Sequence, residues 1–419
     1  MKTKLIILIV LFISIYANAQ QTLTLEDCYS LATKNYPLSK QTGLLEQKSS
    51  YEIDALSKGK LPKIDVNAQA TYQSEVIGLP TSLPGVQSLN KDQYRATLDV
   101  NQLVYNGGII DANTKLKEAQ TKTQQQIIEV SLYQIKTRIN QYFFSVLLLQ
   151  EKKALLSSKK ELLTSKVKEV KSGVKFGAIL PSSEQVLEAE IIKINQQLTE
   201  IKFENIKLLN NLSELTFSDI DTETTLIQPV SYPNSTNTTR PEIAFYDLQN
   251  QQLEFSKSVL SKSNLPKINA FGQAGYGNPG LNMLDNSFQT FYVVGLKANW
   301  NIFDWGKTKT DKKALDISKE IVTSEKETFE LNNKIQLEEQ DFEIKKLEQL
   351  LLSDTEIIQI REKVIKSSDA QLKNGVITSS EYLIELTNLF EAKNTLKMHE
   401  VQLAAAKSNY EIIKGKPVG

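Results

Sequence analysis

His399 and Cys28 are the only imidazole and the only thiol among 419 residues. Zinc sites draw on several such ligands, and Ser-His-Asp or Cys-His catalysis needs an imidazole beside a nucleophile and an orienting group, so these chemistries mostly lack their parts. His399 lies in the polar helical stretch "LKMHEVQ" and is expected on a helix surface. Carboxylates are plentiful, but no Asp or Glu pair stands apart from the solvated charge pattern in the way acid–base catalysis would require. Neither an enzyme, a resident metal nor an organic cofactor is expected. The balance of 49 basic and 49 acidic side chains provides no single-sign field to draw nucleic acid.

The polar side chains that do follow a pattern sit on segments of period two, which predicts strands with two unlike faces. In the first, Ile64, Val66, Ala68, Ala70 and Tyr72 alternate with Asp65, Asn67, Gln69 and Thr71. In the next, Tyr94, Ala96, Leu98 and Val100 alternate with Arg95, Thr97, Asp99 and Asn101. Two later segments repeat this, with Ile268 to Tyr276 and then Tyr292, Val294, Leu296, Ala298, Trp300 and Ile302 against Lys297, Asn299 and Asn301. Strands of about ten residues suit a tilted membrane crossing. Tyr72, Tyr94, Tyr276, Tyr292, Trp300 and Trp305 gather near strand ends, as in a membrane aromatic girdle. A two-hairpin sheet on a soluble core would show the same alternation. Because about eight strands is the smallest practical barrel and lipid tolerates no open edge, several chains would have to contribute. The polar set Arg95, Thr97, Asp99, Asn101, Lys297 and Asn299 would then line a wet lumen.

These strands belong to a unit written twice. "LPKIDVNAQATY" (61 to 72) is echoed by "LPKINAFGQAGY" (265 to 276), "LVYNGG" (103 to 108) by "NIFDWG" (301 to 306), and "KFGAILPSSE" (175 to 184) by "KNGVITSSE" (373 to 381), at offsets of 204, 198 and 198 residues. The polar, proline-bearing stretch 218 to 242 separates two repeats, 20 to 217 and 243 to 419. Ahead of them, Lys2 and Lys4, an apolar run from Leu5 to Tyr16 and Ala17-Asn18-Ala19 have the order of a secretory signal peptide over residues 1 to 19. A lone cysteine in an exported chain leaves the core to packing.

From Ile109 to Phe176, 68 residues, a single helix would run roughly 100 Å at about 1.5 Å per residue. Ile128, Leu132, Ile135, Ile139, Tyr142, Val146 and Leu149 step by four and three, and Leu156, Leu163, Val167, Val170 and Val174 keep the register, interrupted by Lys153 and Lys160. A sustained period of 3.5 predicts a supercoil with partner helices. Gly177 and Gly375 are expected to cap two long helices at their C-termini, Pro181 to block continuation, and Ser182 or Ser183 to cap the returning helix. A soluble coiled-coil filament would share the helical pattern but leaves the strands unexplained.

The ordered set of signal peptide, paired strands, very long helix, Gly-marked turn and return helix, written twice, resembles the TolC-like outer-membrane efflux proteins over nearly the whole mature chain. "LTLEDCYSLATKNYPL" (23 to 38), with Thr24 and Asp27 placed as a capping box, is similar to that family's first helix. The resemblance implies a mainly α fold with a membrane β-barrel portion: a homotrimer with roughly twelve strands in the outer membrane and an α-helical barrel in the periplasm. It implies an exit duct serving an inner-membrane transporter and a periplasmic adaptor, without bond chemistry. It places the gate and adaptor contact at the two tips, Gly177, Leu180, Pro181, Ser182, Ser183, Glu184 and Gln185, and Gly375, Val376, Ile377, Thr378, Ser379, Ser380 and Glu381. The family's acid after each turn matches Glu381, whereas Gln185 takes its place in the first copy beside Glu184. The family's occasional Arg after the second glycine is missing from Gly375-Val376-Ile377-Thr378. Glu184 and Glu381 suit either helix-dipole charge or a cation-favouring ring. The alternative function is an exported trimeric coiled-coil structural or adhesive protein without a lumen.

Overall fold

A computed structural model describes residues 22 to 77, 88 to 177, 179 to 221, 224 to 229 and 240 to 415. Residues 1 to 19, where a signal peptide is expected, and much of the 218 to 242 stretch lie outside the described residues. The chain forms β1 (Thr22–Leu23), α1 (Leu25–Asn35), α2 (Lys40–Lys58), β2 (Lys63–Tyr72), β3 (Asp92–Tyr105), α3 (Ile109–Lys175), α4 (Ser182–Thr216), β4 (Thr225–Leu226), α5 (Pro241–Ser263), β5 (Lys267–Asn278), β6 (Gln289–Asn299), α6 (Lys307–Lys373) and α7 (Ser379–Lys414). Thr24 caps α1 as expected: its hydroxyl accepts from Asp27 N, and its own N–H donates to the Asp27 carboxylate. The 218 to 242 stretch is more than a linker. It contributes β4, which pairs in parallel with β1, and Pro241 opens α5, where its missing N–H is harmless.

The contacts divide the chain into two units that each draw on both sequence halves. One comprises Gln41–Ile127 and Phe245–Lys326 and holds a four-stranded antiparallel sheet in the order β2-β3-β5-β6. The other takes in Ile128–Ala244, the chain from Glu327 onwards and the segment ending at Lys40. The 67-residue helices α3 and α6 each begin in the first and end in the second.

In the helical unit Leu163 and Val170 of α3, Leu187 and Ile194 of α4, Leu372 of α6 and Tyr382 and Leu386 of α7 form one buried cluster. The heptad expectation holds for Ile128, Leu132, Ile135, Ile139, Val146, Leu163 and Val170. It fails at its flanks, because Phe143, Phe144 and Leu147 are buried while Tyr142 is only half-buried. A straight helix drifts about 20° per heptad against a 3.5 repeat, and α3 meets more than one neighbour, so its dry face is broader than a two-helix seam. The lysines follow suit. Lys153 is exposed and Lys160 half-buried, whereas Lys159 and Lys166 are buried and paired.

His399 is not a surface residue. Its Nδ1 lies 2.6 Å from Asp354 Oδ2, with both side chains largely enclosed between α7 and α6. The polar sequence around it misleads because residues 392 to 400 of α7 are half-covered all round.

Candidate functional site: sheet faces and helix tips

Register fixes the sheet's faces. Val66 stands opposite Leu98, Leu98 opposite Ala274 and Ala274 opposite Tyr292, so the small and medium apolar side chains of all four strands share one face. That face is bare: Val66 is 78% exposed and Leu296 73%. On the other face Asp65 opposes Asp99, Asn67 opposes Thr97, and Gln69 opposes Arg95. Asp99 accepts from Asn67 Nδ2 at 2.7 Å, Thr97 Oγ1 at 2.8 Å and Gln273 Nε2 at 2.6 Å. Asn101, Lys297 and Asn299 share this face by register.

The polar face is not wholly polar, because Phe271 and Phe291 also lie on it. Phe291 packs over Gly275 and Phe271 over Gly295, each so closely that a Cβ on either glycine would come within 3 Å of the ring. The Arg95 guanidinium lies 5.3 Å from the Phe291 centroid, a cation–π contact.

Aromatic side chains gather at both ends of the apolar band. Tyr72, Tyr94, Tyr276 and Tyr292 stand toward the loop end, where Phe288 stacks with Tyr94 and Tyr276. Trp300 and Trp305 lie just past β6 at the helix end, and Phe303 packs edge-on against Trp305 at 4.8 Å. Trp300 is therefore beyond the strand rather than in it, and its indole donates to Asn264 O.

At the far ends of α3 and α6 the turns close differently. Gly375 has φ +70, its N–H donates to Leu372 O, and Val376 N–H donates to Gln371 O, the paired bonds of a Schellman cap. Gly177 has φ +74 and donates to Val174 O. Near it, Gly173 leaves room for Ile179, since an added Cβ would stand 2.6 Å from that side chain. Ile179 and Ile377 turn in against the buried cluster, while Phe176, Leu180 and Val376 stay exposed.

The expected serine cap of α4 is absent: Pro181 itself occupies the N-cap in helical φ and ψ, without a side-chain cap bond. Its ring already holds φ near the helical value, so Ser182 and Ser183 fall inside the helix. Ser183 and Ser379 are buried, whereas Ser182, Gln185 and Ser380 face solvent. Glu184 pairs with Lys171 across the hairpin at 2.8 Å. In the second tip Thr378 is the cap. Its hydroxyl accepts from Glu381 N at 3.2 Å, and its N–H donates to the Glu381 carboxylate at 2.7 Å.

These bonds from Thr378 hold the Glu381 carboxyl below its ordinary pKa. A depressed folded-state pKa means that the cap is strongest above the ordinary carboxylate value and weakens as pH falls through the lower one. Thr378→Ala should destabilise the tip by about 1 kcal/mol. It should also flatten that acid-side dependence, as measured by hydrogen exchange of the first turn of α7 between neutral and acid pH.

The two tips adjoin. Gly173 and Ile179 from one and Leu372 and Gly375 from the other line a single cleft. Lys166 of α3 donates to Asp369 of α6 at 2.5 Å and to Glu169 at 2.6 Å, and lies over the Tyr382 ring. Among the described residues there is no cluster of candidate metal ligands, and no helix is long and apolar enough to cross a membrane.

No protein-family model and no curated protein matches the chain. Solved structures do. The outer-membrane channel OprN matches with a TM-score of 0.71 at 12% identity, over 94% of this chain and 90% of OprN. The Campylobacter jejuni CmeC outer membrane channel matches at 0.65 and 15%, over 93% and 84%. The open state of the Neisseria gonorrhoeae MtrE outer membrane channel matches at 0.65 and 13%, over 93% and 89%. The chain has the fold of these channels, as the sequence resemblance implied.

Proposed function

We propose, for a chain with the fold of outer-membrane channels, that it is the exit duct of a tripartite efflux or secretion system. Three copies close a barrel of about twelve strands in the outer membrane, and their long helices form a tube through the periplasm. The observation that carries this is the four-stranded sheet with an exposed apolar face, an opposite polar face and two open edges, β2 and β6. A four-stranded sheet cannot close on itself, lipid tolerates no open edge, and a stalk without a lumen has no use for Arg95, Asp99 and Lys297 on a shared face. The order helix, strand, strand, long helix, shorter helix occurs twice along the chain, which supports duplication of one unit. Ile321, Leu331, Ile335, Phe342 and Leu352 of α6 are exposed, as the lining of a contact between copies would be in an isolated chain.

The duct lowers no reaction barrier, and a partner transporter supplies the energy. The tips, with Phe176, Leu180 and Val376 exposed, are the surface we assign to the periplasmic adaptor and the gate. Purified full-length protein should be trimeric by cross-linking and conduct in planar bilayers. A monomer without conductance would overturn the proposal.

Glu381 can cap α7 and still present charge to a pore. Glu381→Gln separates the two roles, because Gln can still accept the Thr378 N–H bond at the third position of a capping box while carrying no charge. Under the ring role the variant should keep its fold and lose part of its cation preference. An unchanged preference would leave Glu381 as a cap alone.

A further inference from the structure

The polar face of the sheet is charged unevenly along its length. By register it carries Lys63, Arg95, Lys267 and Lys297 against only two carboxylates, Asp65 and Asp99. Three of the cations lie at one end. Lys63 begins β2, Lys267 begins β5, and Lys297 is two residues from the end of β6, so all three stand where the strands join the helices. Lys267 opposes Asn299 and Lys297 opposes Asn269, which makes the two lysines diagonal neighbours on paired strands.

Compensation there is thin. Lys63 pairs with Asp65 at 3.1 Å. Asp99 is engaged by Asn67, Thr97 and Gln273 rather than by a cation. Asp304, which follows β6, accepts from Asn264 and from the Thr308 and Gly306 N–H groups. Among the described residues no carboxylate pairs with Lys267 or Lys297. Both are exposed, so neither ammonium is held by burial.

We infer that Lys267 and Lys297, with Lys63, form a cationic throat where the barrel meets the helical tube, and that the duct favours anionic solutes over cations at that level. The inference rests on the duct reading and on the polar face being the lumen. β2 and β6 are the free edges, so closure with further copies sets the Lys297 strand of one beside the Lys63 strand of the next. Like charges repeated around a lumen raise the local concentration of counter-ions, because low-dielectric walls focus their field. At the tip the proposed Glu381 ring acts in the opposite sense, which gives the duct two separable filters.

The test uses the full chain in planar bilayers under a potassium chloride gradient. Salt is kept near 0.1 M, where the screening length is about 10 Å. Lys267→Gln/Lys297→Gln should shift the reversal potential toward cations and lower the chloride-to-potassium permeability ratio about two-fold or more. A conducting double variant with the unaltered reversal potential overturns the throat and leaves the duct standing. Loss of conductance in the unaltered protein overturns both.

A second variant checks which face is wet. Lys297→Cys should lose conductance on exposure to a charged, membrane-impermeant thiol reagent. Cys28 is fully buried, and its thiol pKa is pushed up to about 12 by that burial, so it stays silent. A Lys297→Cys channel that conducts unchanged after the reagent overturns the assignment of Lys297 to the lumen.

Discussion

Glu190→Ala is expected to destabilise the helical unit by about 3–5 kcal/mol, the usual effect of removing one partner from a buried ion pair. Lys159 of α3 donates to Glu190 of α4 at 2.8 Å and to Thr387 of α7 at 3.2 Å, so one ammonium ties three helices. The side chains of Lys159 and Glu190 are only 7% and 14% exposed. Without Glu190 the ammonium keeps Thr387 as its one hydrogen-bond partner at a position with little exposed surface. The double change Lys159→Met/Glu190→Leu should be close to neutral, since two apolar groups of similar volume remove both desolvation penalties together. Denaturant unfolding followed at helix-sensitive wavelengths distinguishes the cases. A single-variant loss below about 1 kcal/mol would mean that the pair is solvated like a surface bridge.

On the duct proposed above, Gly375→Pro should abolish export while leaving the proposed trimer intact. Proline holds φ near −65°, whereas this position requires φ +70, and the N–H that proline lacks is the donor to Leu372 O. The expected local penalty is about 3 kcal/mol or more, and it falls on the last turn of α6 and the entry to α7. The strands and the remote halves of the long helices are untouched, so assembly should survive. Gly375→Asn is the milder comparison, because Asn visits the left-handed region more readily than other side chains. Export assays together with cross-linking to the adaptor read the result. Normal export and adaptor contact in the proline variant would remove the tip from the mechanism.

Much of this architecture is legible in the sequence because two periodicities carry it. The alternation from Ile64 to Tyr72 and from Tyr94 to Val100 places β2 and β3 with the correct faces, and the run without glycine or proline from Ile109 to the Gly177 turn gives α3 to within a residue, the heptads from Ile128 onwards supplying its packing face. The turns are legible because Gly177 and Gly375 need positive φ. Contacts between elements distant in the chain are not legible. A lysine at residue 159 looks solvated until Glu190 and Thr387 face it, and His399 looks exposed until Asp354 of another helix closes over it. Phe271 and Phe291 break the polar face for the same reason, since only cross-strand register shows that a glycine lies beneath each ring. At the tips, the T-x-x-E spacing of Thr378 and Glu381 is a capping box written in the sequence, while Pro181 displaces the serines expected to cap α4.

The two unpaired edges have a consequence for how the protein comes into being. On the proposed duct, a single copy not yet assembled carries bare backbone donors and acceptors along β2 and β6, beside Val66, Tyr292 and Leu296, in water and next to other copies of itself. Such edges are templates for wrong pairing as well as right. Productive maturation is then a race of high kinetic order between ring closure and aggregation. Its yield should depend on how fast the chain is delivered, on holding factors that mask the edges in transit, and on a lipid surface ready to receive the closed ring.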